Sequence, residues 1–181
     1  MDSSCKSVLK KEIEMKKLLL LTLLITPIFL FSQGSSKTEI DWIPLEKAVE
    51  SAEKYNLKIL VYFFKQNCEY CEKMQKETLS DINVINLINN NFLAVKIDSR
   101  TKDIISYNGK EYTNQQPKSS GRHDWRHDFY YEVASFTRNN KQQLTTPTIV
   151  LFDNKFQKIE SFPGHLAKQL VIRNLKPYII K

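Results

Sequence analysis

The sequence predicts an α/β domain built on a central mixed β-sheet flanked by helices, and three observations lead there. Residues 59–64, 92–98 and 149–152 are short apolar runs rich in β-branched and aromatic side chains, the pattern of strands covered on both faces. Between and around them lie stretches with apolar residues three and four apart, the spacing of one helical face. The order reads β-α-β, a connecting segment, then α-β-β-α, with no internal repeat and no low-complexity tract. At 181 residues, 41% of them hydrophobic, the chain fills one sizeable core but not two.

The N-terminus stands apart from that core. Lys16 and Lys17 precede an apolar stretch over residues 18–31, and residues 32–35 offer small side chains suited to cleavage. The stretch is short and interrupted by Pro27, which suits a membrane span poorly. It reads as a secretory signal peptide, with an uncleaved membrane anchor as the alternative. Met15 is then the natural start, and residues 1–14 are an upstream extension. The expected organisation is an extension and signal peptide over 1–33, a linker over 34–41 and one domain over 42–181, placed in the periplasm or secreted.

Within the domain the elements follow in order. Leu45, Ala48, Val49, Ala52 and Tyr55 mark a first helix, opened by Pro44, which fits a first helical turn. The strand at 59–64 passes through a polar turn into a second helix with Cys71, Met74 and Thr78 on one side. Ser80 or Asp81 can cap a third, whose Ile82, Ile85 and Ile88 form an inward stripe. After the strand at 92–98, Asn108-Gly109 predicts a two-residue hairpin turn, and residues 115–121 a polar loop. A helix over about 124–137 aligns Trp125, Phe129, Val133 and Phe136, and Asn139-Asn140 ends it. Beyond the strand at 149–152, residues 153–155 turn the chain into an antiparallel edge strand over 156–162. Gly164 then precedes a last helix carrying Leu166, Leu170, Val171, Leu175 and Ile179, which Pro177 cuts short.

The formal charge of +7 raises the question of nucleic acid. The basic residues are interspersed with acidic ones rather than gathered into a run, so they read as a soluble surface. No nucleic-acid partner is expected.

The chemistry concentrates in Cys68-Glu69-Tyr70-Cys71. Two cysteines separated by two residues, where a buried strand passes into a helix, can close a tight disulfide. The first sits at the helix N-terminus, where free N–H groups and the macrodipole favour a thiolate. Cys5 precedes the expected cleavage site, so the mature chain keeps only this pair, which is not a disulfide-stapled scaffold. Half a zinc site has the same spacing, but zinc needs two further ligands. His123-Asp124 and His127-Asp128 lie four apart and could face a metal from one helical turn. No third ligand stands near them, and a solvated helix start is the simpler reading, so no metal is expected. His165 reads as a surface residue that the fold can bring near the cysteines.

With these motifs in place the chain resembles the thioredoxin superfamily over roughly 42–181. LVYFFKQNCEYC matches the strand, turn and CxxC; AVKID the next strand; TPTIVLFD the strand behind the cis-proline; FPGHL the glycine before the final helix. Within the superfamily it is most similar to exported bacterial thioredoxin-like proteins of the sulfur-oxidation type, which also carry an insert before the helix that precedes the cis-proline strand. The resemblance implies that Cys68 is the nucleophile and Cys71 the resolving thiol, acting through a mixed disulfide. It implies that Pro147 is cis and that Thr146 offers its backbone to a substrate strand. Glu69 and Tyr70, between the cysteines, fall at the substrate face. No cofactor beyond the redox-active Cys68–Cys71 disulfide is implied. The implied partners are protein or small-molecule thiols and disulfides, with a membrane or periplasmic redox protein among them, and the chain is expected to act as a monomer.

Two departures from the family pattern matter. Asn67 stands where thioredoxins place Trp, and Glu69-Tyr70 where they place Gly-Pro. Tyr62 replaces the buried Asp that accepts the resolving thiol's proton, while Lys96, matching the lysine that faces that Asp, remains. Tyr, with a pKa near 10, is a poor base at neutral pH. Lys65 and Lys73 favour a thiolate while Glu69 and Glu72 oppose it, each by about 0.3–1 kcal/mol, so charge alone does not set the direction of exchange. The expectation is an exported thiol:disulfide oxidoreductase; the alternative is a non-catalytic thioredoxin-fold module that holds a peptide at Thr146-Pro147.

Overall fold

The computed structural model of the chain describes residues 37–116, 119, 121 and 125–179. The signal-peptide segment, Cys5, His123 and Asp124 lie outside the described residues. A four-stranded mixed sheet forms the centre, in the order β2-β1-β7-β8. Strand β1 (Lys58–Phe64) pairs in parallel with β2 (Phe92–Asp98) and antiparallel with β7 (Thr148–Phe152), which pairs antiparallel with β8 (Lys158–Pro163). The outer side of β2 is touched by Trp42, in a single parallel bridge to Ala94.

Alternation along β1 divides the core. Ile59, Val61 and Phe63 point to one face, where helix α1 (Leu45–Tyr55) and helix α4 (Asp128–Ala134) cover them. Leu60 and Tyr62 point to the other, against α2 (Glu69–Glu77), α3 (Ile82–Asn91) and α5 (Lys168–Leu175). Successive side chains of a strand must face opposite ways, so one run of apolar residues serves both layers. Burying each of these side chains is worth about 1.5–3 kcal/mol.

The helix starts follow their sequence signals. Pro44 is the N-cap of α1, whose Ala48 and Ala52 are buried. Asp81 caps α3, its carboxylate accepting the Asn83 N–H at 3.0 Å. Ile82, read as part of that helix's inward stripe, is exposed; Val84 is buried beside Ile85 and Ile88 instead. Tyr55 likewise lies at the surface. Asn108 and Gly109, both at positive φ, form the turn between β3 (Ile105–Tyr107) and β4 (Lys110–Tyr112). That hairpin places Tyr107 and Tyr112 edge-on against Phe129.

The structure corrects the reading of residues 124–137. Helix α4 covers only Asp128–Ala134, and residues 136–138 form strand β5 (Phe136–Arg138), paired with β6 (Lys141–Gln143). Asn139 and Asn140, both in the left-handed region, do not simply end a helix. They make the two-residue turn of a second hairpin, because Asn tolerates that conformation and two-residue hairpin turns require it. Trp125 therefore lies outside the helix and 55% exposed. The last edge strand is also shorter than expected: Phe156, at φ +57°, is a buried turn residue packed on Phe152, and pairing begins only at Lys158. Helix α5 begins at Lys168, beyond Leu166, and Pro177 sits in a 3₁₀ turn over Lys176–Tyr178.

Candidate active site

The C-terminal end of β1 delivers the chain to α2 through Lys65, Gln66 and Asn67. Asn67 occupies the left-handed region, φ +52°, which Asn reaches more readily than other side chains. Cys68 follows in extended geometry as the N-cap of α2. It is joined to Cys71 in a disulfide, with Cα atoms 5.2 Å apart. Cys68 Sγ accepts the Cys71 N–H at 3.2 Å, and the Cys68 carbonyl accepts from Cys71 and Glu72. The sulfur thus takes the place an Asp or Ser usually fills at a helix start. In the reduced state the same N–H and the helix dipole favour a thiolate there.

Both sulfurs are nearly covered, each cysteine being 5% exposed. Glu69 is exposed on the first turn, and Tyr70 is 62% exposed beside it. Opposite lies the loop before β7, where the Thr146–Pro147 peptide is cis. The Thr146 carbonyl oxygen is 3.7 Å from Cys68 Sγ. The Pro147 carbonyl accepts from the Gly164 N–H at 2.8 Å, with Gly164 at φ +85°, a conformation that favours glycine. His165 follows, half-buried, its Nε2 enclosed and without a partner among the described residues. The next residue, Leu166, accepts the Thr78 hydroxyl at the end of α2, at 2.7 Å. The β8–α5 loop therefore bridges the cis-proline loop and the CxxC helix, with His165 between the two attachments.

Beneath the cysteines, Tyr62 is 1% exposed, stacked against Phe64 and tilted against Trp42. Its hydroxyl donates to the Cys71 carbonyl at 3.3 Å. Burial pushes that hydroxyl up to about 12, so at neutral pH it is a donor and no base. Lys96 pairs with Tyr62 in register, but its ammonium donates to Gln75 Oε1 at 3.2 Å and lies 4.7 Å from the Phe64 ring centre. Burial lowers its pKa because a charge is costlier away from water.

Sequence reasoning missed the part played by Tyr130 at this site and the burial of His127 on the same helix. Tyr130, fully buried on α4, donates its hydroxyl to the Thr145 carbonyl and lies 3.3 Å from Thr146 Oγ1. Thr148 Oγ1 donates to the same Thr145 carbonyl at 2.5 Å. With that acceptor engaged internally, the loop is anchored while Thr146 stays turned toward Cys68. Tyr130 has no sequence signal separating it from an ordinary core tyrosine. His127, expected at a solvated helix start, does cap α4, with Nδ1 accepting the Phe129 N–H at 3.1 Å, but it is 1% exposed rather than solvated. Its Nε2 is 2.9 Å from the Asp103 carbonyl, which fixes the proton on Nε2. Burial lowers its pKa, against the opposing pull of the Asp103 carbonyl and of the Asp128 and Asp103 charges. Both nitrogens are engaged, and no metal-binding cluster occurs among the described residues.

A family model described as a thioredoxin-like domain matches residues 45–176, well over half the chain. The chain belongs to the thioredoxin-like family. Among solved structures, the fold is similar to one titled DsbH oxidoreductase, at 15% identity and TM-score 0.53, covering 83% of this chain and 92% of that one. A thioredoxin from Thermus thermophilus is similar at 18% identity and TM-score 0.51, covering 78% and 88%. At these identities the likeness is one of fold. An uncharacterized protein of Caenorhabditis elegans is 29% identical over 87 residues, 48% of this chain but only 12% of that protein. The thioredoxin-like fold and the bonded CxxC pair at its helix start are thus properties of this molecule.

Proposed function

We propose that this thioredoxin-like protein is a thiol:disulfide oxidoreductase, with Cys68 as nucleophile and Cys71 as resolving thiol. The observation that carries the reading is the Cys68–Cys71 disulfide at a helix N-terminus, facing the Thr146–Pro147 loop. In the reducing direction, the Cys68 thiolate attacks one sulfur of a partner disulfide and a partner thiolate leaves, later taking a proton from water. Cys71 then loses its proton to solvent and attacks Cys68 Sγ. The Cys68–Cys71 bond forms, the second partner thiolate departs, and two electrons have passed to the partner. Run backwards, the same steps oxidise a dithiol. Thr146 supplies backbone for a partner strand to pair with, and Glu69 and Tyr70 form the exposed rim it meets. No prosthetic group takes part.

The proposal extends to place and kind. The chain acts outside the cytoplasm as a monomer, after removal of residues 1–33, exchanging with thiol or disulfide partners that include a membrane or periplasmic redox protein. Among its relatives it stands with the sulfur-oxidation-type periplasmic thioredoxins. The lysine pair and apolar stretch at residues 16–31 support export, and no described helix is long and apolar enough to cross a membrane. An N-terminus near residue 34 on protein from the native host supports it; an intact N-terminus in the cytosol rejects it.

One observation favours a second reading, a binding module with little turnover: the neutral Tyr62 beneath Cys71. Insulin reduction with a thiol reductant separates the two. Turnover lost in Cys68→Ser, together with mixed disulfides trapped by Cys71→Ser through Cys68, supports the oxidoreductase. Inertness in both redox directions supports the module.

A further inference from the structure

Just past the C-terminal end of β2, a cavity of about 510 Å3 has Arg100, Gln115, Trp125, Arg126, Asp128 and Tyr131 among its lining residues. Its floor is well fixed. Ser99 donates its N–H to the carbonyl of Phe64, the last residue of β1, at 2.7 Å, and accepts from the His127 N–H. The Asn114 side-chain amide donates to the carbonyls of Arg100, Thr101 and Trp125. Arg100 therefore stands at the end of the sheet from which the chain runs to Cys68.

Arg100 Nε is buried and has no hydrogen-bond partner among the described residues. That nitrogen is closed off from solvent, so a group entering the cavity meets the half-buried Arg100 guanidinium only at its other nitrogens. Across the cavity Arg126 stacks over the Tyr130 ring, 5.9 Å from its centre. That same ring, itself buried behind the lining, carries the hydroxyl that anchors Thr145 and contacts Thr146, so Tyr130 links Arg126 to the cis-proline loop. Among the described lining residues the one carboxylate, Asp128, accepts from the Gln115 amide. Arg100 and Arg126 thus line one space, in which the acidic group among the described residues is hydrogen-bonded. At the rim, Trp125 and Tyr131 are 55% and 50% exposed. Exposed Trp and Tyr around Arg is the make-up of an anchoring pocket in a protein interface.

We infer that this cavity takes a carboxylate side chain, Asp or Glu, of a partner protein, close in sequence to the cysteine that Cys68 exchanges with. The inference rests on the exchange reading for the role of the pocket, though not for its chemistry. A carboxylate satisfies a guanidinium in the bidentate manner that Arg geometry favours, and its neighbours along the partner chain lie on the two rim aromatics. The pocket thereby selects which disulfides reach Thr146 in register. Free acidic peptides without cysteine should bind as well, only without reaction.

The test uses the full chain in oxidised form and two fluorescently labelled peptides of equal length. Both carry Ser in place of their two cysteines, flanked in one by three Glu and in the other by three Gln, and binding is read by fluorescence anisotropy. The expected result is at least a fivefold tighter Kd for the Glu peptide at low salt. That preference should vanish in the Arg100→Gln, Arg126→Gln double variant and weaken in Trp125→Ala, which disturbs only an exposed residue. It should persist in a Lys47→Gln, Lys54→Gln control, which removes the same charge from exposed positions on α1. Equal affinities in the unaltered protein overturn the inference, as does a preference that survives the double arginine variant or disappears in the lysine control. The cysteine-containing versions of the peptides then test the exchange reading separately. A Glu preference in binding with no exchange of either peptide refutes the oxidoreductase and leaves the pocket standing.

Discussion

Tyr62 shows most directly how one residue sets the chemistry of this site. The exchange proposed above needs Cys71 to lose a proton, and a buried carboxylate beneath it would take that proton readily because burial raises its pKa toward neutrality. Here the position holds a phenol at about 12 that donates to the Cys71 carbonyl. Tyr62→Asp should speed resolution of a model mixed disulfide near neutral pH in stopped-flow thiol exchange. It should also destabilise the fold by about 3–5 kcal/mol, the scale for losing a large buried ring; unchanged stability and rate would sink the account. Tyr62→Phe should keep the packing and leave the resolution rate unchanged. A second prediction concerns His127. Its folded pKa is depressed, so the folded state binds the proton less tightly than the unfolded one. Its contribution is complete above the unfolded value near 6.5 and declines as pH falls through the folded one. Thermal melts from pH 7.5 to 5 should show a larger drop in Tm for the native protein than for His127→Asn, since Asn caps without titrating; parallel curves would contradict the assignment. Tyr62 was legible from its distance to Cys68, six residues back on the strand that runs into the CxxC, where the resemblance puts a buried Asp. His127 and Tyr130 were not, because their roles depend on Asp103 and Thr145, distant partners that no local pattern announces.

At the scale of elements, local chemistry decided most boundaries correctly where it was unambiguous. Asn108-Gly109 between short strands, Asp81 before an apolar stripe and Gly164 before the last helix all stand where their backbone preferences require. The stretch from 124 to 143 failed because Phe129, Val133 and Phe136 happen to keep helical spacing across a real boundary. The chain leaves the helix after Ala134, and β5 and β6 pair through Asn139 and Asn140 at φ +52° and +56°. Side chains other than Gly and Asn pay about 1–2 kcal/mol for that conformation. Changing both asparagines to alanine should therefore lower the stability of the domain by about 2–4 kcal/mol in chemical denaturation, while the same change at exposed helical sites should not. A variant as stable as the parent would mean that the hairpin is absent in solution. The hairpin lies just upstream of the Thr145–Pro147 loop, so its register also bears on how that loop is delivered to Cys68.

The whole molecule is organised so that β1 carries both halves of the argument. Its side chains seed the two core layers, and its C-terminal end presents the cysteines to the cis-proline loop. The thioredoxin-like architecture was legible from the strand, CxxC, TP and PG segments, because each is a local pattern tied to a fixed place in the fold. The cavity at Arg100 and Arg126 was not, since it is assembled from β2's end, the Gln115 segment and α4 only on folding. The central claim is that Cys68–Cys71 is an exchange dithiol rather than a structural cross-link, and its reduction potential tests that most directly. The protein should be equilibrated in graded thiol–disulfide buffers, quenched in acid, alkylated and read by mass spectrometry. The account predicts reversible titration of this one pair at a defined potential in the range of exchange proteins, between about −120 and −270 mV. A pair that stays oxidised below about −300 mV, as structural disulfides do, would contradict it.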